Sequence, residues 1–243
     1  MGKLLGALIV EFIGTFALTF VGVSAIVLTA SHPASGANLL TVALAHGLIL
    51  SVIVTAGMHI SGAAYNPAVT IALFTTGHVG LKKMVGYVVA QCAGAVVAAA
   101  ILNWALSPLT TPEGNAAIDV TNLGATMGSM TDAMPIFVLE AIATFFLMFA
   151  IIGSAVDSRG TGNGAQVGGF AIGLTVAANI LAIGPLTGAS MNPARTLGPM
   201  VFEGGARASY VWVYFVAPIV GAVIAAQIWK NFLRLPAPGK SDE

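Results

Sequence analysis

The chain has 243 residues, of which 57% are hydrophobic and 7% are charged. A soluble domain of this size needs more polar surface than this composition supplies, so the composition excludes a soluble globular protein and indicates a membrane protein. Nine basic and nine acidic residues give a formal net charge of zero, and the sequence has no basic cluster that could bind nucleic acid.

Six apolar segments are long enough to cross a bilayer as helices, which takes about 20 residues each. In chain order they cover residues 4–28, 39–58, 84–106, 133–156, 165–183 and 209–232. The first segment is too long for the apolar core of a signal peptide and no cleavage site follows it, so we interpret it as a retained helix. Residues 107–132 are rich in Pro, Gly, Thr and Asn, which predicts a surface loop.

Most basic residues fall on one side of the membrane if there are six spans. That side holds Lys3, Lys82, Lys83, Arg159, Lys230, Arg234 and Lys240. Only Arg195 and Arg207 fall on the other side. Because short cytoplasmic loops carry the excess of Lys and Arg, both termini are predicted to be cytoplasmic. No targeting signal is evident, which favours a plasma membrane over an organelle.

Two stretches of the first half recur in the second half. Residues 11–20 read EFIGTFALTF and residues 140–149 read EAIATFFLMF, while residues 61–70 read SGAAYNPAVT and residues 187–196 read TGASMNPART. Each copy contains three spans, an odd number, so the second copy must enter the membrane from the opposite side. We therefore predict a single transmembrane domain over residues 1–243, with inverted repeats at about 4–106 and 133–232.

Each repeat also contains an apolar piece too short to cross the membrane, at residues 67–76 and 193–202. Both begin within an Asn-Pro-Ala triplet, where Asn is a favoured helix cap and Pro suits the first helical position. Non-helical backbone lies at membrane depth only where protein buries it or water lines it, so the lead-in before each triplet should face a cavity. The triplet residues are Asn66, Pro67, Ala68, Asn192, Pro193 and Ala194.

This arrangement predicts one narrow pore for small neutral molecules. The two Asn side chains can turn donor N–H groups toward the lumen, and backbone carbonyls of the lead-ins can accept hydrogen bonds. The predicted carbonyls are those of Gly62, Ala63, Ala64, Tyr65, Gly188, Ser190 and Met191. Two half-helix N-termini, each carrying about half a positive charge, would meet near the midplane and repel a cation.

Three features occur together: the two triplets lie in a ten-residue repeat, Arg195 directly follows the second triplet, and Glu11 and Glu140 lie near the starts of the two halves. With these features, the chain resembles the aquaporin, or major intrinsic protein, family over essentially its whole length. The resemblance implies an all-α membrane protein: a right-handed bundle of six transmembrane helices plus two re-entrant half-helices, assembled as a homotetramer. Pores of this family are the standard example of ion exclusion by half-helix dipoles and an arginine. The two glutamates, costly in apolar spans, are expected to hold backbone N–H groups of the re-entrant loops, with a proton relay as the alternative.

The resemblance also implies a selectivity ring made of His46, Ile180, Ala189 and Arg195. Strict water channels of the family usually have Phe at the first of these positions and His at the second, so the ring resembles that of tonoplast-type members, some of which pass ammonia, urea or hydrogen peroxide. Glycerol facilitators typically carry Asp directly after the arginine, where this chain has Thr196, and an aromatic residue in the ring. Some ammonia-permeable relatives add a histidine from the third loop, but residues 107–132 contain none.

The sequence therefore predicts a passive channel that conducts water in single file and excludes ions and protons. A facilitator for glycerol, ammonia, urea or hydrogen peroxide is the alternative, and a junction-forming membrane protein with little flux is another. Ser, His and Asp occur without a nucleophile turn, a phosphate loop or metal-ligand spacing, so no enzyme, cofactor or metal is expected. The expected partners are lipid, the permeating molecules and further copies of the chain.

Overall fold

The computed structural model describes residues 2–157, 167–202 and 209–233. The predictions made for Arg159, Arg207, Arg234, Lys240 and the first two residues of the fifth span lie outside the described residues. Nine α-helices are found within these ranges. They are α1 (Gly2–Ser31), α2 (Leu39–Ser61), α3 (Pro67–Thr75), α4 (Leu81–Leu106), α5 (Ala117–Val120), α6 (Ala133–Ile151), α7 (Gly168–Thr187), α8 (Pro193–Met200) and α9 (Val213–Ile228).

Six of the described helices are long and apolar enough to cross a membrane, which confirms the predicted number of spans. Four of them are α1, α2, α4 and α7. The other two are α6 and α9, which the π-helical turns Ile152–Val156 and Trp229–Leu233 continue. The sequence placed the ends of α2 and α7 three and four residues too early. Both helices run on to a glycine, Gly62 or Gly188, whose left-handed φ of 93° or 90° ends the helix.

The half-helices α3 and α8 start at the predicted residues, Pro67 and Pro193. In each case the preceding Asn caps the helix: the Asn66 side chain accepts from the Ala68 N–H at 2.9 Å, and the Asn192 side chain accepts from the Ala194 N–H at 3.0 Å. The cap and the proline thus fix both starting points locally, as their residue types predict.

The two halves of the chain are interlocked. Within each half the outer helices pair, α1 with α4 and α6 with α9, and α2 packs against α7 across the halves. Each half-helix packs against a span of the other half, α3 against α9 and α8 against α4. This inverted, interlocked arrangement confirms the predicted fold class, whereas the exact bounds of the repeats remain a prediction.

The distribution of polar groups is the reverse of that in a soluble protein. Large apolar side chains are exposed on the outer face of the spans, among them Val52, Val89 and Phe146. Glu11 and Glu140 are fully buried in the interior. Such a surface suits a hydrocarbon solvent, and the buried carboxylates require hydrogen-bond donors inside the bundle.

Residues 107–132 are not simply a surface loop. They contain α5, a 3-10 turn at Asn122–Gly124, and a β-bridge between Thr110 and Ala116. Ala117, Leu123 and Thr126 are buried against the bundle. Loop composition did not reveal this packing, because it depends on helices that are distant in sequence.

Candidate functional site

Three adjoining cavities lie between the two halves. The outer cavity, about 400 Å³, is lined partly by residues of the 107–132 connection. The inner cavity, about 270 Å³, is lined by the start of α4 and the first lead-in. Between them lies a central cavity of about 30 Å³ that shares lining residues with both. This constriction has room for two or three water molecules, at about 10–15 Å³ each.

Asn66 and Asn192 both line the central cavity, and each reaches across to the other half. The Asn66 Nδ2 donates to the Met191 carbonyl at 2.7 Å, and the Asn192 Nδ2 donates to the Tyr65 carbonyl at 2.9 Å. A side-chain amide has two hydrogens on this nitrogen, so each Asn retains a second one for another acceptor. The remaining triplet residues, Pro67, Ala68, Pro193 and Ala194, are buried and do not line these cavities.

The two lead-ins share an unusual backbone. Besides the glycines at their starts, Ala63 and Tyr65 have φ of 52° and 48°, and Ala189 and Met191 have φ of 45° and 52°. The left-handed region costs a non-glycine residue about 1–2 kcal/mol. Such conformations persist only where the surroundings hold them, so groups packed behind the lead-ins must keep this backbone in place.

Buried glutamates hold both lead-ins from behind. The Glu11 carboxylate accepts from the N–H groups of Ala64 and Tyr65 at 3.0 and 2.7 Å. The Glu140 carboxylate accepts from the N–H groups of Ser190 and Met191 at 3.0 and 2.9 Å. With these N–H groups satisfied at the back, the strained backbone is fixed in place and its carbonyls remain for other donors.

Further side chains complete each glutamate site. Ser61 and Gln91 both donate to Glu11 at 2.7 Å, and Thr187 donates to Glu140 at 2.7 Å. Tyr87 and Tyr214 donate to the carbonyls of Ser61 and Thr187. Gln91 was not predicted from the sequence, although a polar side chain within an apolar span was the available signal.

The four ring residues come together where the outer and central cavities join. His46, Ile180, Ala189 and Arg195 each line both of these cavities. His46 comes from α2, Ile180 from α7, Ala189 from the second lead-in and Arg195 from α8. The other lead-in residues are distributed along the same path: Ala63, Ala64, Tyr65, Ser190 and Met191 line the central cavity, Gly62 the inner one and Gly188 the outer one.

The hydrogen bonds of His46 identify its tautomer. Its Nδ1 lies 2.8 Å from the Val42 carbonyl, which can only accept, so Nδ1 carries the hydrogen. Its Nε2 lies 3.4 Å from Nη2 of Arg195, which can only donate, so Nε2 is the acceptor. His46 therefore acts as a hydrogen-bond acceptor for the arginine.

Arg195 has a second partner that the sequence did not reveal. Its Nη1 donates to the carbonyl of Gly124 at 2.9 Å, which lies in the 107–132 connection. A backbone carbonyl in a loop leaves no mark in the sequence. The guanidinium is thus held between α2 on one side and the connection on the other.

Comparison with known proteins assigns the chain to a family. The sequence profile described as Major intrinsic protein matches residues 2–229. The chain belongs to this family. It is 37% identical to Aquaporin TIP4-4 of Zea mays, over 93% of this chain and 85% of that one. It is 38% identical to Glycerol uptake facilitator protein-like 6 of Lactiplantibacillus plantarum, over 89% of this chain and 93% of that one.

The fold is also that of a solved member of the major intrinsic protein family. The X-ray structure of the aquaglyceroporin from Plasmodium falciparum superposes with a TM-score of 0.79 and 26% sequence identity, covering 95% of this chain and 97% of that one. Major intrinsic proteins are channels rather than enzymes. The chain is accordingly an integral, multi-pass membrane channel for water or small solutes.

Proposed function

We propose that this major intrinsic protein is a passive water channel that conducts water in single file and excludes ions and protons. The observation that carries the proposal is the central cavity of about 30 Å³, set between cavities of about 400 and 270 Å³. A passage this small favours a permeant of the size of water. The wider cavities on both sides leave only the central part of the path as a constriction.

Water replaces its lost hydrogen bonds at the triplets and lead-ins. The second Nδ2 hydrogens of Asn66 and Asn192 donate to the oxygen of a passing water. The carbonyls of the lead-ins accept its hydrogens, those of Tyr65 and Met191 through the lone pair that the asparagine amides leave unused. A water oxygen held by two donors at the centre cannot accept a further hydrogen bond from its neighbour, which interrupts a chain of proton transfer.

Cations meet two barriers on this path. Arg195 places a positive charge at the junction of the outer and central cavities. The N-termini of α3 and α8 then add their partial positive charges beside Asn66 and Asn192. Neither barrier acts on a neutral molecule, so the selectivity is for charge first and size second.

The ring leaves room for a second class of permeant. Ile180 presents an apolar side chain where a strict water channel usually has His, and Ala189 leaves space beside it, which supports passage of urea, hydrogen peroxide or ammonia beside water. Glycerol is a weaker candidate for this chain, because Thr196 follows the arginine and the ring has no aromatic residue. The names of the relatives include an aquaporin and a glycerol uptake facilitator, so family membership alone leaves the permeant open.

The proposed setting is the plasma membrane, with both termini in the cytoplasm and four copies assembled, one pore in each. The charge distribution supports the orientation, since Lys3, Lys82 and Lys83 lie at the same end of the bundle. The tetramer is supported by the family resemblance.

Stopped-flow light scattering of proteoliposomes tests the proposed function. Vesicles containing the protein should shrink in a hyperosmotic sucrose gradient clearly faster than empty vesicles. The matched control is Ala189→Trp, which fills the constriction where Ala189 is 4% exposed and should return the rate to that of empty vesicles. Gel filtration of both proteins checks that the variant is folded.

Equal shrinkage of wild-type and empty vesicles would refute water conduction. If shrinkage is fast but the Trp variant is just as fast, water passes by another route. Repeating the measurement under inward gradients of glycerol, urea and hydrogen peroxide ranks the solutes.

A further inference from the structure

A line of three buried hydroxyl groups joins the 107–132 connection to the second half-helix. The hydroxyl of Thr126 lies 2.8 Å from that of Thr196, and the Thr196 hydroxyl bonds that of Ser190. Ser190 in turn donates to the carbonyl of Asn192 at 3.2 Å. Thr126 and Thr196 are each 2% exposed, so no bulk water competes for these bonds.

The donor and acceptor in each of these hydrogen bonds follow from the last acceptor, the Asn192 carbonyl. The Asn192 carbonyl can only accept, so the Ser190 hydrogen is used there and Thr196 must donate to Ser190. The Thr196 hydrogen is then used as well, so Thr126 donates to Thr196. Each hydroxyl hydrogen has one acceptor, and the connection is tied to α8 by a donor from Thr126.

The first half of the molecule uses the equivalent threonine differently. Thr70 occupies the repeat position of Thr196, and its hydroxyl accepts from Gln91 of α4 at 2.9 Å. Tyr214 of α9 matches Tyr87 of α4, and four residues further on α9 has Pro218 where α4 has Gln91. Proline has no side-chain donor, so α9 offers Thr196 no bond equivalent to the one from Gln91. The repeat also changes Ala64 to Ser190, which supplies the acceptor for Thr196.

These changes coincide with the placement of the guanidinium. Arg195 itself replaces Val69 of the first half, and its Nη1 bonds the carbonyl of Gly124, two residues before Thr126. Gly124 has a φ of 66° and lies against α1, where a Cβ would come within 3.3–3.4 Å of Val23 and Ile26. The Gly124 carbonyl is thus held between α1 and the bond made by Thr126.

We infer that Thr126 is a positioning residue for solute selectivity: its bond to Thr196 fixes the connection, so that the Gly124 carbonyl holds the Arg195 guanidinium in the ring. This inference rests on the proposed role of Arg195 in the ring. It adds a residue outside the ring and outside both triplets to the groups that set which solutes pass. Without the bond from Thr126 to Thr196, the Gly124 carbonyl is no longer a fixed acceptor. The Arg195 guanidinium then moves more freely in the ring.

The test measures urea and water permeability of proteoliposomes for a set of threonine variants. Thr126→Val and Thr196→Val each remove the bond with little change of volume, and each should raise the ratio of urea to water permeability by about fivefold, the factor that one lost hydrogen bond corresponds to. Thr126→Ser keeps a hydroxyl and should restore the wild-type ratio. Thr70→Val is the matched control, because it removes the equivalent hydroxyl from the other half and should leave the ratio unchanged.

A double substitution separates positioning from general loosening. In an Arg195→Val background, Thr126→Val should have no further effect on the ratio, since the group that it positions is gone. A ratio that still rises there would overturn the inference, as would an unchanged ratio in the single Thr126→Val protein. A merely structural role would lower the thermal stability of Thr126→Val and Thr70→Val alike and move neither ratio.

Hydrogen–deuterium exchange tests the role of Thr126 without a transport assay. Its outcome therefore does not depend on whether the protein conducts water. The amides of Gly124, Ala125 and Met127 donate hydrogen bonds within the connection, so their exchange with deuterium in detergent should be slow. Thr126→Val should speed their exchange with deuterium, and Thr126→Ser should not. Unchanged exchange in Thr126→Val would refute the proposal that the bond from Thr126 to Thr196 fixes the connection, even if wild-type vesicles conducted no water.

Discussion

Arg195 is a buried cation whose guanidinium contacts groups from two distant parts of the chain. The Gly124 carbonyl accepts from Nη1, and Nε2 of His46 accepts from Nη2. The imidazole is itself confined, because a Cβ on Gly22 would collide with its ring. A small residue on α1 thus lets His46 face the arginine as an acceptor. The position of the Arg195 charge in the proposed ring therefore depends on the Gly124 carbonyl, the His46 imidazole and Gly22, none of which contributes a charge at these contacts.

At the same scale, Ile180→His tests the apolar wall of the ring. An imidazole is polar and should narrow the junction, so urea permeability should fall by about tenfold, which corresponds to about 1.4 kcal/mol in the barrier, while water still passes. Urea and water fluxes of proteoliposomes give the ratio. Ile180→Val, which keeps an apolar branched side chain, should retain the wild-type ratio, and an undiminished urea flux in the His variant would contradict the ring assignment of Ile180.

Pairs of helices approach each other closely at matching glycines of the two halves. A Cβ on Gly94 of α4 would collide with the Phe12 carbonyl of α1, and a Cβ on Gly221 of α9 would collide with the Ala141 carbonyl of α6. In lipid, close packing of this kind drives association of helices that have no water to exclude. The glycines bring α4 and α9 near the helices that carry the glutamates, and so position Gln91, Tyr87 and Tyr214 against the lead-ins.

Substituting these glycines should destabilise the pairs. Gly94→Ala and Gly221→Ala should each lower the free energy of unfolding by about 1–3 kcal/mol, the usual cost of overpacking. Thermal unfolding in detergent, followed by loss of the monodisperse gel-filtration peak, measures the change. Gly6→Ala is the control, since a Cβ there meets nothing within 4 Å and should not lower stability. Equal midpoints for all three variants would show that these close approaches carry no stability.

The whole molecule has a sided charge distribution. Among the described residues, Lys3, Lys82, Lys83 and Lys230 lie at one end of the bundle. Glu113, Asp119 and Asp132 lie at the other end, in the connection before α6. Basic residues are retained on the cytoplasmic side during insertion, so this asymmetry predicts which end faces the cytoplasm.

Labelling of introduced cysteines tests that orientation. The native Cys92 is first changed to Ser, which removes the single cysteine of the chain. In intact cells, a membrane-impermeant maleimide should label Glu113→Cys and leave Lys82→Cys unlabelled until the membrane is opened. The reverse pattern would mean that the bundle is inserted the other way round.

The sequence alone determined the elements of this protein whose cause is local. About 20 apolar residues make a span, an Asn-Pro pair starts a half-helix, and an odd number of spans in each repeat forces inversion. These rules give the six spans, their inverted arrangement and the starts of α3 and α8, whereas the right-handed bundle was implied by the family resemblance. Helix ends were less well predicted, because α2 and α7 continue to the glycines that terminate them.

Only the tertiary structure decided how the site is held. The bonds from Arg195 to His46 and Gly124, the bond from Gln91 to Glu11 and the bond between Thr126 and Thr196 all join residues far apart in the chain. Hydrogen bonds have a short range and a strict geometry, so they exist only once the spans have packed, and no periodicity or composition in the sequence records them.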